Sequence, residues 1–276
     1  MPNLRVIHRN DADQATSLAA STTAGALVAA YMQTDLKGQP HRSTGTSVTY
    51  TLTWTGGVTL GAVALPATNL TAAATIRLRA YSDTACTALL QDTGVITACP
   101  GLTDAPWTLN ATYNANVFAY GYVSKAVAWL AANQAGVKGI KIDLADATNP
   151  TGYIDCSRIV AGPWWSPKWN AGVGVNNTEV DNSANTRTDA GDLPSDRAPT
   201  HQELRLNLPV LPEADRSQLM QIMRANGVWK PIFISVLPAK GTALEQDYML
   251  YGKRKNSPMD HPGLARFAHA IDLESW

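Results

Sequence analysis

The chain has 276 residues, of which 45% are apolar and 16% charged, with Lys plus Arg and Asp plus Glu balanced at 22 each. That length allows one large or two modest domains with enough apolar side chain to bury a core, and the charged share is below the rough quarter usual in globular proteins. Zero net charge argues against a protein that wraps DNA or RNA, because counterion-driven binding needs a basic surface, and it leaves no charge repulsion to oppose self-association.

The first residues, MPNLRVIHRNDAD, carry charges where a signal peptide would need an apolar run. No stretch approaches the ~20 apolar residues of a membrane span. A soluble chain made in the cytoplasm is therefore expected, with no membrane span. Residues 17–33, SLAASTTAGALVAAYMQ, are small and Ala-rich and read as a helix or a long loop.

From 47 to 165 strands dominate. SVTYTLTW alternates, with Val48, Tyr50, Leu52 and Trp54 on one face. Gly56 and Gly57 follow as a turn, then VTLGAVAL, stopped by Pro66. ATIRLRAYS places Ile76, Leu78 and Ala80 inward and Arg77 and Arg79 outward, and KGIKIDLAD repeats the pattern through Ile140, Ile142 and Leu144. GYIDCSRIVAG supplies another strand. Turn residues separate these runs, and short strands at such spacing predict an antiparallel sandwich. Residues 99–119 read as a long excursion from it.

Cys86, Cys99 and Cys156 do not make a disulfide framework and have no metal-ligand spacing. Cys86 and Cys99 could be cross-strand neighbours, but a reducing compartment favours free thiols.

The run PWWSPKW concentrates Trp164, Trp165 and Trp169. It reads as an aromatic platform for a sugar or nucleotide, as ordinary core, or as a seam between folded units. Pro163 and Pro167 stiffen the connection while the tryptophans offer large area for burial, so the seam, a domain or subunit interface, is the favoured reading. Residues 170–200 are polar and nearly free of large aliphatics, which predicts an extended surface arm. HQELRLNLPVL then reads as a strand with Leu204, Leu206 and Leu208 on one side. LPEADRSQLMQIMRANG is the clearest helix: Pro212, Glu213 and Asp215 suit its start, Arg224 and Gly227 its end. Its stripe of Leu219, Ile222 and Met223 is assigned to the same interface as the tryptophans. WKPIFISVLP, QDYMLYGKR and FAHAIDLES read as further strands. The expected fold is mainly β: a sandwich over 1–167, then a smaller α+β assembly unit over 168–276 with one main helix, beginning with the arm.

The five histidines, His8, His41, His201, His261 and His269, show no ligand spacing. His201 with Glu203 would share a strand face, whereas Asp260 and His261 would point apart; neither pair has a nucleophile. No G-x-S-x-G elbow, P-loop or H-E-x-x-H occurs, and GGVTLG lacks dinucleotide-binding spacing. No enzyme, catalytic residue, cofactor or metal is therefore expected. Asp143, Asp146 and Asp155 gather around a turn and could hold Ca²⁺, but turn-forming aspartates are the favoured reading. A sugar site would draw on Asp35, Gln39, His41 and Arg42 in the loop MQTDLKGQPHRS, and on Trp107, Asn110 and Tyr113 in the excursion.

Taken in order, STGTSVTYTLTW, VTLGAVALPATNLTAAATIRLRAYSD, DTGVI, KGIKIDLADATNPTGYIDCSRIVAGPWWSPKWN and ELRLNLPVLPEADRSQLMQIMRANGVWKPIFISVLP resemble minor tail proteins of long-tailed bacteriophages, of the distal-tail or tail-tip type. The resemblance covers most of the chain apart from 99–119. It implies a galactose-binding-like jelly roll in the N-terminal half and a tube-facing C-terminal unit. It further implies a structural component of the virion tail tip or baseplate, linking the tube to hub and tip proteins. Such a component repeats by rotation, so a homo-oligomeric ring of six or three copies is expected. The rival expectation is a carbohydrate-binding module that contacts a glycan of the host surface. Fold alone does not decide between them.

Overall fold

The protein is seen in a computed structural model that describes residues 2–102, 123–255, 259–263 and 266–276. The first strand, β1 (Arg5–Ile7), joins a sheet built much later in the chain. The sandwich follows with β2 (Ser17–Ala20), β3 (His41–Arg42), β4 (Ser47–Thr68), β5 (Thr75–Tyr81), β6 (Leu89–Asp92), β7 (Ile96–Thr97), β8 (Ser124–Ala145), β9 (Asp155–Cys156) and β10 (Val160–Gly162). Residues 17–33 form no long helix; they hold β2 and a 3-10 turn at Ala29–Gln33.

The two 22-residue strands β4 and β8 organise this unit. They pair antiparallel from Ser47 opposite Ala145 to Thr68 opposite Ser124. Gly56 and Gly57 do not make the hairpin turn expected from the sequence. Each half of β4 instead pairs with a different half of β8, and the glycines lie where the ribbon bends. A Cβ on Gly57 would stand 3.2 Å from Gly136 Cα, so a side chain there would press on the opposite backbone. A larger slip follows: Leu60 faces Gln134 but Ala62 faces Trp129, leaving extra residues on β8, and such bulges sharpen a bend. The ribbon folds onto itself, so Tyr50, Leu52, Ile140 and Ile142 from one half share a core with Val63, Leu65, Ala126 and Ala128 from the other.

β11 (Trp164–Trp165) leaves the sandwich for the second unit. That unit contains β12 (Asn176–Asp181), β13 (Ala184–Asn185), β14 (Ser195–Asp196), β15 (Thr200–Leu211), α1 (Glu213–Asn226), β16 (Ile232–Ser235), α2 (Ala243–Asp247), β17 (Met249–Arg254), β18 (Met259–Gly263) and β19 (Arg266–Ser275). The sheet runs β11-β1-β16-β17-β19-β15-β12, with β18 on β19. A boundary at residue 167 therefore has two strands that belong to the later sheet on its N-terminal side: β11, and β1, which is inserted between β11 and β16. α1 carries Glu213 and Asp215 in its first turn and ends at Gly227, whose φ of 57° is the left-handed conformation glycine tolerates. The chain is thus mainly β, a sandwich plus a smaller α+β unit with one main helix.

The apolar run at 62–65 explains how the units meet. A strand with both faces covered reads as continuous hydrophobic sequence. Val63 and Leu65 point into the sandwich core, while Ala62 and Ala64 point outward onto Ile7, Phe233, Met249 and Tyr251 of the second sheet. The far face of that sheet, including Leu204, Leu206, Ile234 and Ile271, packs against Leu219 and Ile222 of α1. The result is three β layers and a helix layer stacked in one block.

The polar arm is a β-hairpin. Asn176–Asp181 pair with Arg205–Thr200, and Ala184 and Asn185 pair with Asp196 and Ser195. Its tip is closed by Thr188 N–H to Asp192 O at 2.8 Å. Residues 184–197 are exposed throughout, and their order comes from hydrogen bonds within the arm.

Candidate functional site

The residues assigned to an interface fall in different places. Trp165 is buried in the core beneath α1, where Leu219 and Ile222 also lie and Met223 packs at the edge. These three helix residues face their own sheet. Trp164 packs with Trp129 and Phe233 where the two units meet. Trp169 is 55% exposed, with Lys168 Nζ 5.7 Å from its ring centre. All three cysteines are buried free thiols.

The loop proposed to bind a ligand does not converge. His41 is fully buried, its Nδ1 2.9 Å from the Tyr50 hydroxyl and its Nε2 3.0 Å from Thr22 O. Arg42 forms two 2.8 Å bonds to Asp155 and lies 4.0 Å above Tyr153. Asp35 accepts from the Tyr251 hydroxyl at 3.0 Å and lies 3.1 Å from Arg158 Nε. Gln39 is exposed and its backbone N–H closes a turn on Leu36. Trp107, Asn110 and Tyr113 lie outside the described residues. The alternation that placed His41 beside Arg42 sends one side chain into the core and the other outward, so the pair cannot share a ligand.

The turn aspartates are likewise dispersed. Asp143 pairs with Arg79 and accepts from Thr49, Asp146 accepts from Thr71 and Asn149, and Asp155 holds Arg42. His201 stands 3.8 Å from Glu203, which Lys255 contacts at 2.6 Å; Lys255 pulls the Glu203 carboxyl below its ordinary range. This is a charge ladder on a sheet surface with no nucleophile beside it among the described residues. Between the units, buried Lys125 donates to Gln202 Oε1 at 3.1 Å and to Gln246 O at 3.2 Å, and burial lowers its pKa to about 8. No helix among the described residues is long and apolar enough to cross a membrane.

A cleft of about 500 Å³ opens at the β6–β7 edge of the sandwich, lined by Gln91, Asp92, Thr93, Ile96, Trp129 and Leu130. Its polar groups are held by the chain itself. Gln91 Nε2 donates to Gln134 Oε1 at 3.0 Å. Asp92 accepts two bonds from Arg77 and one from Gly94 N–H at 2.8 Å, and the Arg77 bonds, chiefly, hold its carboxyl at about 2. Thr93 Oγ1 accepts from Leu78 N–H at 2.9 Å. The Trp129 ring shares the outward face of Ala62 and packs toward the second sheet, 6.4 Å from Phe233 and tilted by 47°. Leu89, Val95 and Ile96 leave an exposed apolar rim.

Such a cleft offers an apolar wall from Ile96 and Leu130 and polar residues, Gln91, Asp92 and Thr93, in set positions. It can hold a polar ring by apolar contact and hydrogen bonding, and a carboxylate held so low is no general acid. In sequence, Asp92, Thr93 and Ile96 stand out only as part of DTGVI, one of the segments carrying the resemblance, and no pattern assigns a binding role to any lining residue. Positions 91–96 and 129–130 meet only because β8 bends: its 139–145 half pairs with β5, which carries β6 and β7, while Trp129 lies in the other half, paired with β4.

No known protein family matches the chain, and no curated protein is similar to it. Among solved structures it is similar to a GH29 fucosidase of Ruminococcus gnavus in complex with fucose, at 11% identity and a TM-score of 0.39, over 59% of this chain and 28% of that one. A Streptococcus pneumoniae fucose-binding module is similar at 8% identity and 0.36, over 56% of this chain and 94% of the module. A fucolectin from striped bass (Morone saxatilis) serum is similar at 8% and 0.36, over 73% and 70%. The chain spans less than a third of the fucosidase. Matches at these TM-scores do not set the fold or the function of this chain.

Proposed function

We propose that the chain is a carbohydrate-binding module whose site is the cleft at the β6–β7 edge. The observation that carries this reading is a cleft of about 500 Å³ in which Asp92, Gln91 and Thr93 are each already held in place by the chain beside the apolar Ile96 and Leu130. Sugars present an apolar ring face and a rim of hydroxyls, which such a set matches. Polar groups fixed before binding lose little freedom when the ligand arrives. The test is retention on a glycan array by the wild-type chain and by Gln91→Ala and Asp92→Asn. Loss of retention with unchanged circular dichroism supports the cleft; a wild-type chain retained by no glycan ends the reading.

A second reading is favoured by a separate observation, the wholly exposed hairpin tip at 184–197. A projecting arm suits a subunit that clasps its neighbours, and the sequence resemblance to phage tail-tip proteins points to a tail component forming a ring of six or three copies. Light scattering of the purified chain and antibody labelling of tailed particles test it. A strict monomer absent from any virion would exclude it.

A further inference from the structure

A cavity of about 60 Å³ lies where the start of β8 and the loop before β3 meet the β12 side of the second sheet, with room for a few waters or one small ion. Lys37, Lys125, Glu179, His201, Gln202 and Ser275 stand in its wall, and none of them lines the cleft at the β6–β7 edge. Lys125 is 7% exposed, and its ammonium donates to two neutral oxygens, Gln202 Oε1 at 3.1 Å and Gln246 O at 3.2 Å. Lys37 is half-buried; no carboxylate among the described residues comes within 4.0 Å of its ammonium, and no hydrogen bond holds it. Burial lowers the pKa of both lysines, that of Lys125 to about 8. Their charges also reach one another. Lys37 lowers the Lys125 value further, while Glu179 raises both without forming an ion pair with either. Asp247 raises Lys125 too but stands outside the wall. His201 turns its ring nitrogens to Asn182 and Glu203. Among the described residues of the wall, two ammonium groups face one carboxylate, which leaves one positive charge in excess. Taking cations out of water without matching anions is unfavourable.

We infer that this cavity binds a small monoanion of the carboxylate class, held between the Lys37 and Lys125 ammonium groups. Charge-assisted hydrogen bonds from ammonium to carboxylate are about twice as strong as neutral ones. Ser275 adds a neutral donor, since its hydroxyl accepts from Gln202 N–H at 2.9 Å and keeps its own proton to give. A single negative charge balances the wall. A doubly charged phosphate would overshoot that balance and meet the Glu179 carboxylate.

The test titrates the full chain with acetate, and separately with inorganic phosphate, by ligand-observed NMR at pH 7 and constant ionic strength. Wild-type protein is expected to bind acetate more tightly than phosphate. Lys37→Gln is expected to weaken acetate about tenfold, the size of one hydrogen bond to a charged group. Glu179→Gln is expected to bind acetate more tightly than the wild type, because it removes repulsion from the wall; a purely structural role for Glu179 would not do so. Both side chains lie outside the packed cores, so both variants are expected to keep the wild-type melting temperature. A wild-type chain that binds no acetate, or binds phosphate more tightly, overturns the inference. So does a Lys37→Gln chain that binds acetate as the wild type does, or a Glu179→Gln chain that binds it no better. None of these results touches the cleft at the β6–β7 edge, so the carbohydrate reading stands or falls on its own array test.

Discussion

Arg158 Nε–H, in the sandwich, donates to the Tyr251 hydroxyl, in the second sheet, at 3.0 Å. The other arm of the buried guanidinium holds Asp13 at 2.6 and 2.7 Å, and the hydroxyl passes its own proton toward Asp35 at 3.0 Å. One cation therefore ties the N-terminal turn, the loop at 35 and the second sheet together. Removing one partner of a buried ion pair leaves uncompensated charge. Arg158→Met is expected to cost about 3 to 5 kcal/mol, and Tyr251→Phe about 1 to 3 kcal/mol. Denaturant unfolding followed by tryptophan fluorescence and far-ultraviolet dichroism measures both. Two separate transitions in the wild type would contradict the single block.

The three tryptophans of PWWSPKW should rank by burial. Trp165 is 3% exposed in the helix-side core and Trp169 is 55% exposed. Trp165→Ala is expected to cost about 3 to 5 kcal/mol and Trp169→Ala within about 0.5 kcal/mol, with Trp164→Ala between them. Equal losses at Trp165 and Trp169 would refute this ordering.

Ala62 and Ala64 are fully buried where the sandwich meets the second sheet. Ala64→Leu adds three carbons to a packed contact between two sheets. A loss of about 1 to 3 kcal/mol is expected. A stabilised variant would reveal a void between the layers.

The helix at 213–226 was legible because its start, stripe and end all agree in sequence. The alternating strands were legible for the same reason, since period two survives any packing. What stayed hidden was nonlocal. VTLGAVAL read as apolar, but nothing in it tells that Ala62 and Val63 serve different cores. Gly56-Gly57 has the composition of a turn, and only its pairing with β8 makes it a bend. α2 is five residues long and leaves no periodic trace. In the candidate site, Gln91 and Leu130 come from strands far apart in the chain, and no local pattern joins them.

Burial, and to a lesser degree Arg9, lowers the His8 pKa from 6.5 to about 4. The unfolded chain therefore takes up a proton between pH 6.5 and 4 that the folded chain refuses. Stability rises with pH wherever the unfolded state holds more protons, so it should fall as pH drops through that window and level off for this group below about 4. Denaturant melts from pH 7.5 to 4 are expected to show that slope, and His8→Gln to flatten it. An unchanged slope in the variant would assign it to other groups.

Because the tip of the hairpin orders itself, deleting residues 184–196 and joining the stubs should leave the melting temperature nearly unchanged. Surface changes away from packed features are usually within about 0.5 kcal/mol. If the wild-type chain assembles, the shortened chain is expected to stay monomeric by light scattering. Assembly that survives the deletion would show that another surface carries it.

The insertion of β1 between β11 and β16 sets a timetable for the newborn chain. Ile7 pairs with Phe233, so the first strand leaves the ribosome long before that partner exists. At about 5 to 20 residues per second, the wait is on the order of 10 to 45 s. The sandwich can close in that interval, because β2 to β10 all precede residue 163. The second sheet cannot, and Val6 and Ile7 remain uncovered meanwhile. A slow synonymous-codon stretch between 170 and 230 would lengthen that exposure without changing one atom of the finished protein. Its signature would be more aggregate during translation and an identical stability afterwards.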